Sequence, residues 1–466
     1  MQTDYLIIGA GAQGLIFADE LLTHSDADIV LVDRRDRVGG HWNDAYGFVR
    51  LHQPSAYYGV GSKALGRDQI ETKGLNEGLF EQATGLEVLS YFEDVFRNRM
   101  LASGRVRFLP LHDYAGDWQE DHRLTSLANG QVTNVQVNRA IVDTGWYGVQ
   151  TPESHVPSFS IEKGTPFTTP KRLPTDLPGH GHVAILGGGK TSMDVVIWLI
   201  ERGVSPDAIN WVRPRDSWLT NREVAQPGDA GYLRLVQSQA NRIAASVEAT
   251  SVEDLYVQME RRDELFRIDP AAFPTMFHGA TISRGELDVL WKVKTVIGGQ
   301  RVTALRSGHM ETTKGEHAVP MDTLFVDCTA RAFNFQRPAP VFDGKRITPK
   351  VIRDGLVSLS AAAIAYIEAT YDDQDQKNLL TAQIPYEEDL VTLPKRYLTD
   401  MTNQGHWSTE KGLRRWARAH RLTGYGGPAD GEAEAKLKVL GERMRQQRPA
   451  AIKNLERLIS MGSART

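Results

Sequence analysis

The sequence predicts an α/β protein that contains two parallel-sheet units of the same design. First, a short apolar run, a glycine-rich turn, a helix-length apolar segment and a second apolar run follow one another within the first forty residues. Second, the same succession returns from residue 182 onward. Third, hydrophobic residues make up 41% and charged residues 24% of the chain, which is typical of a globular protein that buries a core.

The first unit has the order of a strand–helix–strand crossover. Asp4–Ile8 (DYLII) and Ile29–Val32 (IVLV) have the length and composition of buried strands. Between them, the turn Gly9–Gly14 (GAGAQG) leads into the helix-length segment Leu15–Leu22. Asp33 follows the second strand directly, so we expect its carboxylate at the sheet edge where the turn also lies.

Each glycine of this turn has its own use in dinucleotide binding. Gly9 permits the tight turn out of the strand, and Gly11 leaves room for a pyrophosphate beside the backbone. Gly14 lets the helix pack closely on the strand, and the helix N-terminus offers free N–H groups to the phosphates. Asp33 is then placed to accept a hydrogen bond from a ribose hydroxyl.

The second unit repeats this order with a different turn. His182–Leu186 and Ala208–Val212 predict strands, and Met193–Ile200 predicts the helix between them. The turn is GGGKTS, in which the small Ser192 takes the place of the third glycine. A P-loop is excluded because Ala184 stands where its leading glycine would be. The sequence therefore predicts two Rossmann-like dinucleotide-binding domains.

The remaining elements follow from apolar runs and helical periodicity. Helices are predicted at Leu86–Leu101, over the polar region Gly231–Arg262, at Ser358–Thr370 and in the charged tail Gly431–Met461. Strands are predicted at Arg105–Leu109, Gln131–Val137, Ala140–Asp143, Lys292–Val296, Arg301–Leu305 and Thr323–Val326.

Composition excludes several classes of function. With 54 Lys and Arg against 58 Asp and Glu, the net charge is −4, so no strong positive field favours nucleic acid as a partner. Cys328 is the single cysteine, which excludes an internal disulfide, a CxxC zinc knuckle and a redox-active pair. No group of side chains has metal-site spacing. The start lacks a secretory leader pattern, and no run reaches the roughly 18 apolar residues of a membrane span, so we expect a cytoplasmic protein.

Several segments together resemble the flavin-containing monooxygenase-like (class B) group of two-dinucleotide-binding-domain flavoproteins. From Asp33 onward the chain reads DRRDRVGGHW, with a glycine pair and a tryptophan at the family's spacing. Val49–Val60 (VRLHQPSAYYGV) looks like the segment that lines the flavin ring. Val142–Gly145 (VDTG) and Phe325–Ala330 (FVDCTA) are similar to the two segments where the chain leaves and re-enters the FAD domain.

The resemblance implies that the first site binds FAD and that an NADPH domain is inserted into the FAD domain. The implied division is 1–165 for the first part of the FAD domain, 166–326 for the NADPH domain with a helical insertion, and 327–466 for the second part with C-terminal helices. The implied FAD-side residues are Gly9, Gly11, Gly14, Asp33, Arg34, Gly40, His41, Trp42, His52, Gln53, Thr144, Gly145 and Ala330, with Tyr57 and Tyr58 as further candidates beside the ring.

The second turn resembles the NADPH loop of the same family, with Asp194 just inside the helix. Its implied binding residues are Gly187, Gly189, Lys190, Thr191 and Ser192. The following strand ends without an acid and with two arginines, Arg213 and Arg215, which are suited to a 2′-phosphate. NADPH is therefore preferred over NADH, although Asp216 follows directly.

The resemblance implies an FAD- and NADPH-dependent oxidoreductase. In that family, oxygen reacts through a flavin peroxide and one atom enters a small organic substrate. Thr165–Val183 lacks the family fingerprint FxGxxxHxxxW/F/Y, so a flavin-linked NADPH dehydrogenase or reductase without oxygen insertion is the alternative. A nucleotide-binding interaction protein without turnover is a third reading.

Two further features concern the flavin and the substrate. Ser358 or Ser360 is expected to cap a helix whose N-terminus, by the resemblance, points at the flavin pyrimidine. The resemblance does not extend to Val224–Pro320, which is the candidate for substrate specificity. The sequence assigns no catalytic residue and no oligomeric state.

Overall fold

The computed structural model describes residues 1–331, 338–428 and 430–463. Its strands, in chain order, are β1 (Gln2–Ile8), β2 (Ile29–Val32), β3 (Val106–Leu109), β4 (His112–Gly116), β5 (His122–Ser126), β6 (Val132–Asn134), β7 (Gln136–Asp143), β8 (Ser160–Ile161), β9 (Phe167–Thr168), β10 (His182–Leu186), β11 (Ile209–Arg213), β12 (Ser217–Asn221), β13 (Leu265–Phe266), β14 (Met276–Ile282), β15 (Thr295–Gly298), β16 (Val302–Arg306), β17 (His309–Thr312), β18 (Gly315–Ala318), β19 (Thr323–Asp327), β20 (Phe342–Asp343) and β21 (Arg346–Ile347).

The α-helices lie between these strands and dominate the C-terminal part. They are α1 (Ala12–His24), α2 (Gly85–Val95), α3 (Leu173–Asp176), α4 (Lys190–Glu201), α5 (Gly228–Glu248), α6 (Val252–Glu260), α7 (Arg284–Leu290), α8 (Val357–Thr370), α9 (Gln374–Leu380), α10 (Thr392–Thr409), α11 (Lys411–Ala419) and α12 (Gly431–Ser463).

The first unit forms a sheet in the order β20–β21–β7–β1–β2–β3. Strand β1 pairs in parallel with β2 on one side and with β7 on the other. In this register Ile8 lies opposite both Val32 and Asp143, so three strands end at one edge. The glycine turn and the residues that follow β2 and β7 therefore meet there.

The second unit forms a separate sheet in the order β15–β11–β10–β19–β9. Its central strand β10 pairs in parallel with β11 and β19, and Leu186 lies opposite Val212 and Asp327. This arrangement repeats that of the first sheet. The predicted α/β architecture with two Rossmann-like units is therefore confirmed.

Helices of the insertion and of the C-terminus pack together as a third part. Helix α12 runs along α5 and contacts α10, and their shared core includes buried residues of α6 and of strand β12. Ala451, Leu455 and Leu458 are fully buried and give α12 an apolar face that packs on its neighbours.

Several local predictions differ from the structure. The strand expected at Gln131–Val137 is interrupted at Val135, which separates β6 from β7. The polar helical region is two helices, because Ser251 accepts from the Asp254 N–H and starts a new helix at Val252. The strand expected at Lys292–Val296 lies at Thr295–Gly298, because α7 and its turn occupy the residues before it. Neither serine caps α8: Leu356 precedes it, and Ser360 Oγ instead accepts from the N–H groups of Ile352 and Arg353.

The domain division at 165/166 and 326/327 stays a prediction. The strands of the second sheet lie between Phe167 and Asp327, and the first sheet takes strands from both sides of that range. Within the described residues, no helix combines the length and apolar character needed to cross a membrane.

Candidate active site

The first glycine turn is closed tightly by neighbouring backbone and side chains. Gly9 has a φ of +108°, and a side chain there would overlap the Thr144 hydroxyl. A Cβ on Gly14 would overlap the Gly9 carbonyl oxygen. A Cβ on Gly40 would lie 2.8 Å from Gly11 Cα, so these two glycines pass each other without side chains. The geometry creates an approach to bare backbone, which a pyrophosphate requires.

The N-terminus of α1 offers unpaired backbone donors at this place. Gly11 is the residue before the helix and supplies no side-chain cap, and the first turn carries no acidic residue. Such N–H groups and the helix dipole favour an anion. Asp33 lies beside them, with Oδ2 accepting from Ala10 N at 2.7 Å and Oδ1 from Arg35 N at 2.8 Å. Each oxygen retains a lone pair for a ribose hydroxyl.

Arg34 is an exposed residue at the rim of this site. Its guanidinium lies 3.7 Å from Asp113, and 72% of its side chain is exposed. The structure therefore leaves Arg34 without a buried partner that would fix its direction.

The segment after the glycine pair forms a compact aromatic wall. His41 stacks on Trp42 with 5.3 Å between ring centroids, and Trp42 Nε1 donates to the Tyr58 hydroxyl at 2.7 Å. Burial lowers the pKa of His41 to about 4, so this ring is neutral at physiological pH. Tyr57, which precedes Tyr58 in the chain, is also buried.

His52 and Gln53 extend the wall toward the second unit. Gln53 Nε2 donates to the Gly355 carbonyl at 3.0 Å, just before α8 begins. His52 is an exposed residue. Desolvation of its ring, with help from Lys190, lowers the pKa of His52 to about 4.

The two segments VDTG and FVDCTA have matching geometry. In the first, Asp143 Oδ1 accepts from Gly145 N at 2.9 Å, and Thr144 Oγ1 donates to the Ile8 carbonyl at 2.7 Å. In the second, Asp327 Oδ1 accepts from Thr329 N at 2.9 Å. Ala330 follows as a half-buried residue. Each segment therefore turns away from its strand beside the adjacent glycine turn.

The second glycine turn is open where the first is closed. Gly187 has a φ of +128°, and a Cβ there would lie 2.5 Å from the Cys328 carbonyl oxygen. Gly189 precedes α4 without a side-chain cap, and no atom lies within 4 Å of a Cβ placed on it. Ser192 is fully buried, and its hydroxyl donates to the Gly189 carbonyl at 2.6 Å. This serine stabilises the start of α4, and its small side chain still permits the helix to pack closely on the sheet.

Lys190 and Thr191 face the first unit. The Lys190 ammonium pairs with Asp194, and the Tyr46 hydroxyl donates to Asp194 Oδ2 at 2.6 Å. Thr191 also hydrogen-bonds Tyr46. Burial and the Asp194 charge hold the pKa of Tyr46 well above its usual value, so the phenol keeps its proton. The expected phosphate contact of Lys190 stays a prediction.

Arg213 and Arg215 both face acids. Arg213 lies 3.2 Å from Asp216, and Arg215 NH2 lies 3.1 Å from Glu388. Burial lowers the pKa of Arg213 and raises that of Asp216. A 2′-phosphate at this place would share the guanidinium groups with those carboxylates.

Sequence reasoning missed a buried ionic group between the two units. Arg222 is 1% exposed, lies 2.8 Å from Glu286 and donates to Asn76 and to the His52 carbonyl. Asn76, Arg222 and Glu286 are far apart along the chain, so no spacing rule reveals them.

A cavity of about 300 Å³ adjoins Gln53 and Gly355. Its walls come from the segment after Leu51, from β12, α5 and β14 of the insertion, and from α8, α10 and α12. Cavities of this size are suited to small molecules.

Comparisons with known proteins agree with this geometry. Residues 7–56 match the family model of the NAD(P)-binding Rossmann-like domain. Uncharacterized proteins Rv2000 of Mycobacterium tuberculosis and Mb2023 of Mycobacterium bovis are each 38% identical over 423 residues, which covers 91% of this chain and 78% of theirs.

Two solved structures show the same fold. Oxidized steroid monooxygenase bound to NADP has a TM-score of 0.51 and 13% identity, and the match covers 96% of this chain and 98% of that one. The open crystal structure of cyclohexanone monooxygenase has a TM-score of 0.50 and 12% identity, with 79% and 86% covered. The chain therefore belongs to the family of these mycobacterial proteins, and its fold is that of the class B flavoprotein monooxygenase-like group.

Proposed function

We propose that this protein is an oxidoreductase that binds FAD at the first glycine turn and NADPH at the second. The contact between the two units carries the proposal. Asp194, in the second turn of α4, accepts from Tyr46 of the first unit at 2.6 Å. This contact holds the first turns of α4 against the segment that follows Trp42, so two dinucleotides bound at the turns would approach each other.

The residues present fit FAD at the first site. Gly11 and Gly40 leave bare backbone for the pyrophosphate, the N–H groups of α1 face it, and Asp33 retains acceptor capacity for the ribose. The neutral His41 and the aromatic Trp42 would lie beside the ring.

The residues present also fit NADPH at the second site. Open space at Gly189 and an uncapped helix start suit the pyrophosphate. Arg213 and Arg215 are the candidates for the 2′-phosphate. The steroid monooxygenase with this fold binds NADP, which supports the assignment.

Bound together, the two cofactors supply hydride transfer from nicotinamide to flavin and onward electron transfer to an acceptor. The chain positions the rings and limits water: Trp42 and Tyr57 are buried, and Tyr46 keeps its proton toward Asp194. Cys328 is buried, and burial raises the pKa of its thiol well above the usual value. A single inert thiol cannot serve as a dithiol acceptor.

Molecular oxygen is the acceptor we favour, with a small organic molecule as substrate. The balanced reaction consumes substrate, O₂, NADPH and a proton, and yields oxygenated substrate, NADP⁺ and water. The cavity beside Gln53 provides a place for that substrate. A reductase that passes both electrons to an organic acceptor is the second candidate, because the family fingerprint is missing from Thr165–Val183.

The test measures flavin content, NADPH oxidation and the product under ¹⁸O₂. A product that gains one ¹⁸O atom supports a monooxygenase, whereas a reduced product without label supports the reductase. A protein that retains no FAD after reconstitution contradicts both.

A matched pair of variants checks the NADPH site. Gly189→Val adds a side chain into open space, so it should weaken NADPH binding without unfolding the protein. Gly431→Val, at the start of α12, is the control, because its added side chain also meets nothing within 4 Å. Equal NADPH affinity in the two variants would contradict the placement.

A further inference from the structure

The cavity beside Gln53 contains an arginine with a free donor. Arg396 is 3% exposed, and its guanidinium lies between the rings of Phe277 and Tyr386, 4.7 and 4.6 Å from their centroids. Its Nε and NH2 donate to Asp354 Oδ1 at 2.8 and 2.6 Å. Its NH1 has no hydrogen-bond partner among the described residues. A buried charged donor left unpaired is costly, so a ligand that accepts from it is favoured.

A glycine lies against this guanidinium, so no side chain covers it at that position. Gly279 lines the cavity, and a Cβ on it would lie 3.2 Å from Arg396 NH1. Arg242, on the facing helix α5, has a buried Nε that is also without a partner among the described residues. Its NH1 donates to the other oxygen of Asp354 at 3.3 Å. The two arginines therefore share one carboxylate and each retains a donor.

The cavity wall carries an excess of positive charge. Arg222 and Arg445 pair with carboxylates outside the cavity, and Glu264 pairs with Arg234. The other charged side chains that line it are the cations Arg242, Arg353, Arg396 and Arg448 and the anions Asp354 and Asp400. Because the cations outnumber the anions four to two, the wall has a net positive charge that favours an anionic ligand.

Apolar side chains cover much of the remaining wall. They come from the insertion, from α8 and from the C-terminal helices, and comprise Leu235, Ile243, Met259, Phe277, Leu359, Met401 and Met444. A ligand that fits this wall combines one anionic group with an apolar body.

We propose that the cavity binds a small organic carboxylate, with its carboxylate on Arg396 and Arg242 and its apolar body directed toward Gln53. That this carboxylate is the substrate rests on the function proposed above, whereas the anion site itself does not. An arginine fork and a carboxylate form charge-assisted hydrogen bonds of matching geometry.

Calorimetric titration of the purified protein, with and without added FAD, tests the proposal. The probes are matched pairs of aromatic and aliphatic carboxylates and their neutral amides, for example 3-phenylpropanoate and 3-phenylpropanamide, together with inorganic phosphate. We expect at least one acid to bind tenfold or more tightly than its amide and than phosphate. No preference for any acid over its amide would overturn the proposal, as would phosphate binding as tightly as the best acid.

Variants locate the site. Arg396→Gln should lower the affinity for the acid at least tenfold. The affinity for the amide should change by less than about threefold. Arg448→Gln, at another point of the wall, provides a second measurement if the first variant does not fold, and we expect it to weaken the acid by a smaller factor. Arg306→Gln is the control, because this exposed residue pairs with Glu311 and Glu316 away from the cavity. Unchanged acid binding in both cavity variants would overturn the proposal.

The two proposals can fail separately. If the protein binds FAD and oxidises NADPH but prefers no acid, the cofactor assignment stands and the carboxylate site is wrong. If an acid binds as expected but no FAD is retained, the carboxylate site stands and the oxidoreductase assignment is wrong.

Discussion

The two glycine turns have the same topology but different surroundings. The first is enclosed by protein: Thr144 contacts Gly9, the backbone of Gly40 lies close to that of Gly11, and Asp33 accepts a hydrogen bond from the Ala10 N–H. The second has open space at Gly189, and its arginines lie against acids. A preorganised enclosure favours a cofactor that stays bound, whereas an open turn favours one that exchanges. We therefore expect FAD to remain through purification and NADPH to bind and leave in each cycle.

The largest expected effect comes from filling the enclosed turn. Gly14→Val would drive its Cβ into the Gly9 carbonyl, which is backbone and cannot move aside. Overpacking of this kind costs roughly 1–3 kcal/mol or more. We expect loss of bound FAD and a lower melting temperature, measured by flavin absorbance and thermal unfolding. Gly189→Val should leave the melting temperature unchanged, and equal destabilisation of the two variants would contradict the comparison.

Loss of a buried carboxylate in the first unit should destabilise the protein more than loss of a surface carboxylate in the second. Glu20, on α1, is 2% exposed and accepts from His420 Nε2 at 2.7 Å, so it ties the C-terminal part to the first unit. Asp322 of the second unit pairs with His182 at the surface. We expect Glu20→Gln to lower the free energy of unfolding by about 2 kcal/mol, whereas Asp322→Asn should leave it nearly unchanged.

The difference in unfolding free energy between the wild type and Glu20→Gln should decrease as the pH falls. Burial raises the pKa of Glu20, but hydrogen bonds from His24 and His420 outweigh it and hold the pKa below its usual 4.5. The stabilisation is therefore present above about pH 4.5 and is lost as the pH falls through the folded pKa. The free energies of unfolding of the wild type and Glu20→Gln, measured with urea, should converge at acid pH. A difference that stays constant as the pH falls well below 4.5 would contradict the ionic role.

Removing the Arg213 guanidinium, which lies beside the second glycine turn, should change cofactor preference. Arg213→Gln should raise the KM for NADPH about tenfold, the factor that corresponds to roughly 1.4 kcal/mol, because a charge-assisted contact to the 2′-phosphate is lost. The KM for NADH should stay within about twofold. Arg202→Gln, on the far end of the same unit, is the control. Equal increases in the KM for NADPH and in the KM for NADH would show that Arg213 acts on folding.

The smallest effect is expected where the two units touch. Tyr46→Phe removes the hydroxyl that donates to Asp194 and should cost about 1 kcal/mol of stability. Because that contact sets the approach of the two sites, flavin reduction by NADPH in stopped flow should slow more than NADPH affinity falls. An unchanged reduction rate would show that the contact does not position the rings.

Local features of both units could be predicted from the sequence, and long-range partners could not. Strand β2 and strand β10 have the predicted bounds, because short apolar runs between turn residues fix buried strands. The partners of Arg222 and Arg396 lie on distant segments, and no periodicity reports such contacts. Ser360 was misjudged because its hydroxyl serves the preceding loop, a choice that depends on tertiary packing.

Cys328 gives the molecule a built-in reporter of local opening. It is the single cysteine in the sequence, and it lies buried beside Gly187. A thiol reagent can reach its sulfur only when that part of the chain transiently unfolds, so the labelling rate measures how often this happens. A nucleotide that holds the neighbouring turn in place should slow the labelling, and the degree of slowing gives its affinity without any turnover.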